Sequence, residues 1–451
     1  MPINLRHRPG TPSARLHHME GGGADGNGKT ARPMVHGRGL PLIFAAIMRI
    51  TSRSFLLAGA WMLSGVVFSQ DQPTAKFSLE KGLVLQKDSV AKLAFGVRVQ
   101  NRVSYLHQEA PFTGDDVLEF RVRRLRMTME GFLLNPRLEY KLQFGFARQD
   151  MDLGDGASGP NPIMDAVILY RVAPQTRIGF GQMRMAGGRQ ILNSDALWET
   201  PDRSVAVSAH SLDRDIGIHV LQGIDLGRQR VNFRGAITQG EGRAVSEGNS
   251  GLCYSARMDW LPLGLFKENG EYSEGDLLHE ETPKLALGLV YSSDRKARRT
   301  RAQLGRLMPD GSSRTINTFF ADAHLKYRGW SWLNEFSSRS TPERAVVPGL
   351  EGWTTVAVNN GWGFTSELGR MLGERSQVVA MYSIIRHDRD ADLYFEDLNE
   401  GLLGYNYFIH GHQVKVQGAA SYTWPVRTRI IPEGRRYGTW GVVLQLQWGI
   451  G

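Results

Sequence analysis

The chain has 451 residues, a formal net charge of +9, 41% hydrophobic and 9% aromatic residues, and one cysteine, Cys253. A single cysteine excludes an intramolecular disulfide, and a mean hydropathy of −0.30 is too polar for a bundle of membrane helices. The basic charge does not point to nucleic acid. Of the +9, +6 lies in residues 1–69 (eight Lys/Arg against two acids), which leaves +3 for the rest.

Residues 1–47 are rich in Gly, Pro, Arg and His and show no periodicity. They read as a disordered upstream extension, with Met48 as the initiator. A signal peptide follows over 48–69. Arg49 and Arg53 form its positive end, Phe55–Phe68 its apolar stretch, and Val67-Phe68-Ser69 its cleavage site. The apolar stretch is too short for a membrane-spanning helix. The mature part is expected to be one domain, 70–451.

From Gln70 onward the dominant pattern is period-2 alternation, broken by Gly, Pro, Asp and Asn clusters. Leu93, Phe95, Val97 and Val99 alternate with Lys92, Arg98, Gln100 and Arg102. Leu138, Tyr140, Leu142 and Phe144 alternate with Glu139, Lys141 and Gln143. Phe319, Ala321, Ala323, Leu325 and Tyr327 alternate with Asp322, His324 and Lys326. Val414, Val416, Tyr422 and Trp424 alternate with Lys415 and Gln417. Longer loops are expected at Asp150–Pro162, Gln239–Gly251, Glu268–Pro283, Pro309–Arg314, Arg339–Gly352 and His387–Gly401, all suited to the extracellular side of a barrel.

The final strand is the most informative. In residues 439–450 one face is Trp440, Val442, Leu444, Leu446, Trp448 and Ile450; the other is Thr439, Gly441, Val443, Gln445, Gln447 and Gly449. The two Trp are about 26 Å apart at ~3.3 Å per residue. That matches an outward apolar band about 25 Å tall with an aromatic girdle at each rim. Tyr422 and Trp424 join Trp440 and Trp448 as girdle candidates. Secretion, strand number and girdle together favour an all-β transmembrane antiparallel barrel, in contact with the lipid bilayer, over a soluble sandwich.

Several short motifs carry a family resemblance: Gly82-Leu83 with Phe95-Gly96-Val97-Arg98-Val99-Gln100; Arg123-Arg124-Leu125-Arg126 leading to Glu130-Gly131; Asp165-Ala166-Val167-Ile168-Leu169-Tyr170-Arg171; Gly179-Phe180-Gly181-Gln182; Arg214-Asp215-Ile216-Gly217; Tyr327-Arg328-Gly329-Trp330-Ser331 with Glu335; and Gly404-Tyr405-Asn406-Tyr407-Phe408 with His412 and Lys415. In order and spacing, over roughly 77–450, they resemble the phosphate-selective porin O and P family. The resemblance implies about 16 strands, a homotrimer in the bacterial outer membrane, and passive diffusion of small anions, phosphate or polyphosphate among them, through an arginine- and lysine-lined lumen. The chain departs from the pattern in ending at Gly451 rather than an aromatic residue.

Anion conduction needs cations facing a narrow lumen, and the planar fork of Arg suits phosphate. Strand parity selects Lys92, Arg98, Arg102, Arg124, Arg126, Lys141 and Arg177 as pore-lining, anion-binding candidates, with Glu130 and Glu139 as neutralisers of Arg126 and Lys141. Arg121 and Arg123 have the wrong parity and are expected near the rim. Gly181–Arg203 breaks the alternation and is expected to fold into the lumen as a constriction. No catalytic residue, metal site or cofactor is assigned: His410 and His412 lack a third ligand, and no nucleophile elbow or phosphate loop is found. The alternatives are a non-selective general porin and a barrel plugged by its own loops that serves as an adhesin or scaffold.

Overall fold

A computed structural model describes residues 73–109, 116–151, 160–243, 251–349, 354–391, 393–427 and 438–451. The expectations for 1–47 and 48–69 lie outside the described residues. A hairpin comes first, β1 (Thr74–Ser78) and β2 (Gly82–Lys87), followed by β3 (Ala91–Gln108), β4 (Asp116–Leu133), β5 (Leu138–Gly145), β6 (Ile163–Ala173), β7 (Thr176–Arg184), β8 (Arg214–Leu226), β9 (Gln229–Thr238), β10 (Cys253–Leu261) and β11 (Lys284–Ala297). A small pair, β12 (Arg299–Arg301) and β13 (Leu304–Leu307), precedes β14 (Arg314–Tyr327) and β15 (Trp330–Ser340). A second small pair, β16 (Val346–Val347) and β17 (Val356–Ala357), precedes β18 (Gly361–Met371), β19 (Ser376–His387), β20 (Asp397–His410), β21 (Val414–Arg427) and β22 (Thr439–Ile450).

Setting aside the first hairpin and the two small pairs, sixteen strands form a closed antiparallel barrel. Each pairs with its sequence neighbour, and β22 closes the ring on β3, with Trp440 opposite His107 and Ile450 opposite Val97. Closure leaves no edge with unpaired backbone groups facing lipid, which is what allows strands to cross a membrane. The β2 strand continues the pairing on β3 below the end of β22, with Leu83 opposite Phe95. Gly451 N–H donates to the Leu79 carbonyl at 2.9 Å, so the chain end is tied to this hairpin.

Side chains follow the alternation. Along β22, Trp440, Leu444 and Trp448 are 50%, 56% and 46% exposed, while Gln445 and Gln447 are buried on the lumen side. Trp440 stacks on Tyr422 with ring centroids 4.3 Å apart, and Tyr422 stacks on Trp424 at 5.4 Å. These three lie towards one rim and Trp448 towards the other. The first rim continues through Phe319, Phe336 and Trp362, each neighbouring pair of rings 6.4 Å apart. The second carries Trp260, Trp330 and Trp332, all exposed. Exposed aromatic bands near both rims are the arrangement that the girdle expectation calls for. Leu444→Arg, midway between the bands, is expected to destabilise the barrel by about 2–4 kcal/mol. Urea unfolding in lipid vesicles checks this, with Leu444→Ile as the near-neutral control.

At one end the strands are joined by tight turns, 134–137, 174–175, 227–228, 328–329, 372–375 and 411–413; at the other by longer segments. Short turns mark the periplasmic end. Most of the expected long loops fall at the extracellular end. The exception is Glu268–Pro283. It lies within 262–283, which joins β10 to β11 at the short-turn end. Its Gly- and Glu-rich composition, closed by Pro283, marks a loop, but the end is set by strand parity, and β10 is the eighth barrel strand.

Candidate functional site: the lumen and its in-folded segments

Between β7 and β8, residues 185–213 leave the wall and cross the lumen. The segment is built from short turns rather than long helices: a helix at Arg189–Leu192, a 3-10 turn at Asp195–Leu197 and a helix at Val205–His210. Ser204 caps the last, its hydroxyl accepting the Val207 N–H at 3.2 Å. The crossing spends backbone groups on the wall. The Trp198 carbonyl accepts from Lys415 Nζ at 2.7 Å, the Glu199 carbonyl from Asn406 Nδ2 at 2.8 Å, and the Ala196 carbonyl from Gln447 Nε2 at 3.1 Å. Segment carbonyls are satisfied by lumen-facing side chains, as buried polar backbone requires.

One side of the segment is anchored to an acidic wall. Arg189 reaches Asp259 at 2.6 Å and Asp322 at 2.8 Å, and Arg257 bridges the same two carboxylates at 2.5 and 2.7 Å. All four side chains are fully buried. Beyond them, Gln190 N–H donates to Glu335 and Gln190 Nε2 to Glu367, each at 3.0 Å. Above this polar layer the lumen is filled by an apolar core. Met185, Ile191, Val207 and Leu212 of the segment pack with inward-facing Val290, Ile316 and Phe320, and with Ala302, Met308 and Val347 from extracellular connections. The segment and these connections therefore fill part of the lumen.

The opposite side of the segment faces arginines. Asp195 receives Arg98 at 2.5 Å, Arg126 at 2.6 Å and Arg124 at 2.7 Å. Asp202 receives Arg123 at 2.7 Å and, closely, Arg102. Burial pushes the Asp195 carboxyl up, but Arg126, Arg124 and Arg98 outweigh it and hold the group well below the ordinary carboxylate range. Burial likewise raises Asp202, and Arg123 and Arg102 more than reverse it. For a carboxyl depressed in the folded state, the stabilisation is present above its unfolded value of about 3.9 and is lost as pH falls below that. The docked segment is thus expected to loosen under acid, below about pH 4. Asp195→Asn is expected to show the same loosening at neutral pH. Open-channel current noise against pH reads both.

Of the sequence-selected residues, Arg98, Arg102, Arg124 and Arg126 lie together on the lumen side of β3 and β4 around the 185–213 segment. Arg102 also donates from Nε to Gln445 at 3.0 Å, and Arg124 to Gln100 at 2.7 Å. Three lie apart from this group. Lys141 pairs with Asp165 at 3.5 Å. Arg177 pairs with Glu139 at 2.9 Å, which also takes Arg171. Lys92 is half-buried towards the periplasmic end of β3. The expected neutralisers do not act as such. Arg126 pairs with Asp150 and Asp195 instead of Glu130, and Lys141 with Asp165 instead of Glu139.

Parity misplaced Arg123 because of a β-bulge. The β3–β4 register shifts between Gln100 and Asn101, so Arg124 pairs with Gln100 and Val122 with Asn101. A bulge turns two neighbouring side chains to one face, and Arg123 joins Arg124 in the lumen at Asp202. Phe120 and Val122 then face out. Arg121 also turns inward, onto Glu119.

Two more cations come from the region of the segment itself. Arg184 donates to the Ile191 and Asn193 carbonyls at 2.9 and 2.7 Å. Arg203 lies over the Trp198 ring at 4.9 Å, with Arg124 over the same ring at 5.2 Å. Among the described residues Arg203 is not within ion-pair distance of a carboxylate. Seven guanidinium groups (Arg98, Arg102, Arg123, Arg124, Arg126, Arg184, Arg203), with Arg214 and Arg243 beside them, thus lie among five carboxylates, Asp150, Asp165, Asp195, Asp202 and Asp213. Guanidinium groups outnumber carboxylates in this sector.

The model of the phosphate-selective porin O and P family matches residues 95–288. No curated protein matches the chain. Among solved structures the chain is similar to a loop-deletion mutant of OmpT, an outer membrane protein of Vibrio cholerae, at 10% identity and a TM-score of 0.49, covering 80% of this chain and 100% of that one. It is similar to an anion-selective porin from Comamonas acidovorans at 10% identity and a TM-score of 0.48, covering 79% and 100%. It is also similar to the outer membrane channel DcaP of Acinetobacter baumannii at 10% identity and a TM-score of 0.47, covering 81% and 99%. A closed sixteen-strand barrel with an aromatic-banded outer face and a lumen crossed by its own segment is built for a channel rather than an enzyme; together with the family match over 95–288, it makes the chain a bacterial outer-membrane porin that resembles the phosphate-selective porins O and P.

Proposed function

We propose that this porin passes small inorganic anions, phosphate among them, by passive diffusion along the arginine-rich sector of its lumen. The observation that carries the reading is the excess of guanidinium groups around Asp195 and Asp202 where the 185–213 segment narrows the barrel. An arginine fork replaces part of the hydration of an oxyanion, while several adjoining forks let the ion move on rather than remain bound. In this reading Arg98, Arg102, Arg124 and Arg126 line the narrow zone, and Lys92, Lys141 and Arg177 line its approach from the periplasmic side. The driving force is the anion gradient, and the assembly is a homotrimer, which cross-linking of the detergent-extracted protein tests.

The plugged-barrel alternative has one observation in its favour. Lumen-facing Lys415, Gln417, Gln445 and Gln447 are all buried under the crossing segment. Planar-bilayer recording separates the readings. Discrete conductance steps with a reversal potential favouring anions support the porin reading; a folded protein that inserts without steps supports the plugged barrel.

A further inference from the structure

The connection 262–283 enters the lumen from the periplasmic end and meets the 185–213 segment. The contact is reciprocal. Glu199 N–H donates to the Glu274 carboxylate at 2.9 Å, and Glu274 N–H donates to the Leu197 carbonyl at 3.0 Å. Arg189, the anchor of the crossing segment, donates from Nη1 to the Glu271 carbonyl at 3.2 Å. Lys326 Nζ on the wall donates to Ser273 Oγ at 3.2 Å.

The base of the connection is locked as well. Lys267 N–H donates to Glu280 at 2.7 Å. The Asp276 carboxylate accepts from Gly329 N–H at 2.6 Å and from Glu280 N–H at 3.0 Å. Phe266 packs with Leu261 and Ala286 and stacks on the His324 ring at 6.2 Å. At the entry, Glu268 and Asn269 hold φ of 50° and 56°. Two consecutive left-handed residues without glycine are costly and persist only where surrounding contacts hold them.

This docking has a consequence for charge. The sector it covers carries Asp259, Asp322, Glu335 and Glu367, all facing the lumen and all buried. Arg189 and Arg257 balance Asp259 and Asp322, but Glu335 and Glu367 are met by Gln190, and left open to water these two carboxylates would attract cations and repel anions. We propose that residues 262–283 are a selectivity-determining element: with the 185–213 segment they seal the acidic sector of the lumen and leave the arginine sector as the ion path. The proposal rests on the anion-conducting reading above.

The test uses the full barrel in planar bilayers, with chloride and potassium as the probe ions. Wild type is measured first. If it shows no anion preference, the reading of the function fails on its own account. The element is then assessed with 268–281 replaced by a short Gly/Ser turn. The replacement also removes Glu268, Glu271, Glu274, Asp276, Glu280 and Glu281, which alone would raise the chloride-to-potassium permeability ratio; the expected result is conductance raised about twofold and that ratio nonetheless lowered at least about threefold, and a raised ratio would overturn the proposal. Unchanged conductance and ratio in that variant would overturn the proposal. Should the replacement not assemble, Glu274→Ala decides by sign. Deleting one carboxylate from a docked segment would move selectivity towards anions or leave it unmoved, and either outcome overturns the proposal. Undocking and uncovering the acidic wall moves it towards cations, which is the expected outcome.

Discussion

Arg189→Met is expected to detach the 185–213 segment from the barrel wall and to cost about 3–5 kcal/mol, the range for breaking a buried ion pair from one side. The reason lies in the charge count of the cluster. Arg189 and Arg257 balance Asp259 and Asp322, all four fully buried, with contacts of 2.5 to 2.8 Å. Removing Arg189 leaves Arg257 alone against two carboxylates in a site closed to water. The same substitution removes the donor to the Glu271 carbonyl, so the joint between the two in-folded segments weakens too. Two measurements check this. The thermal midpoint in detergent should fall, and limited proteolysis should cut within 185–213 in the variant but not in the wild type. Arg189→Lys keeps the charge but not the fork that spans both carboxylates, and should recover part of the midpoint.

Arg203→Glu is expected to produce the largest loss of anion preference of any single substitution in the lumen. Arg98, Arg124 and Arg126 each give part of their charge to Asp195, and Arg102 and Arg123 to Asp202. Arg203 has no carboxylate within ion-pair distance among the described residues; it lies over Trp198 at 4.9 Å, with Asp195 and Asp213 acting on it only from further off. A guanidinium without a carboxylate in contact is offset less by its neighbours and acts more strongly on a passing anion. Reversal changes the local charge by two units where the lumen is narrowed. The chloride-to-potassium permeability ratio should fall by about an order of magnitude. Lys92→Glu, near the periplasmic rim, should shift it far less, and equal shifts would show that position in the narrow zone does not matter. Arg98, Arg124 and Arg126 are poorer single tests, because each also holds the segment in place.

Much of the barrel was legible in the sequence because its signal is local. The faces of β22 follow from alternation over a dozen residues, and Trp440 and Trp448 stand where the spacing puts them. The break in alternation at 181–203 marked the segment that crosses the lumen. What escaped was what depends on a partner strand. The bulge opposite Gln100 and Asn101 exists only in the β3–β4 register, and it moves Arg123 from the expected rim to Asp202. The partners of Arg126 and Lys141 lie 24 or more residues away, Asp150, Asp195 and Asp165, while the nearer Glu130 and Glu139 were the only ones parity offered. The end at which 262–283 emerges requires counting every strand before it. Arg203 sits in a stretch without period, so no face rule reached it.

If anions pass along the arginine sector, the reversal potential of the wild-type barrel across a salt gradient reads their passage, first in potassium chloride and then with phosphate competing against chloride. The expected potential has the sign set by anions, with phosphate reducing the chloride current as it occupies the arginine forks. A potential of the sign set by cations would contradict anion passage.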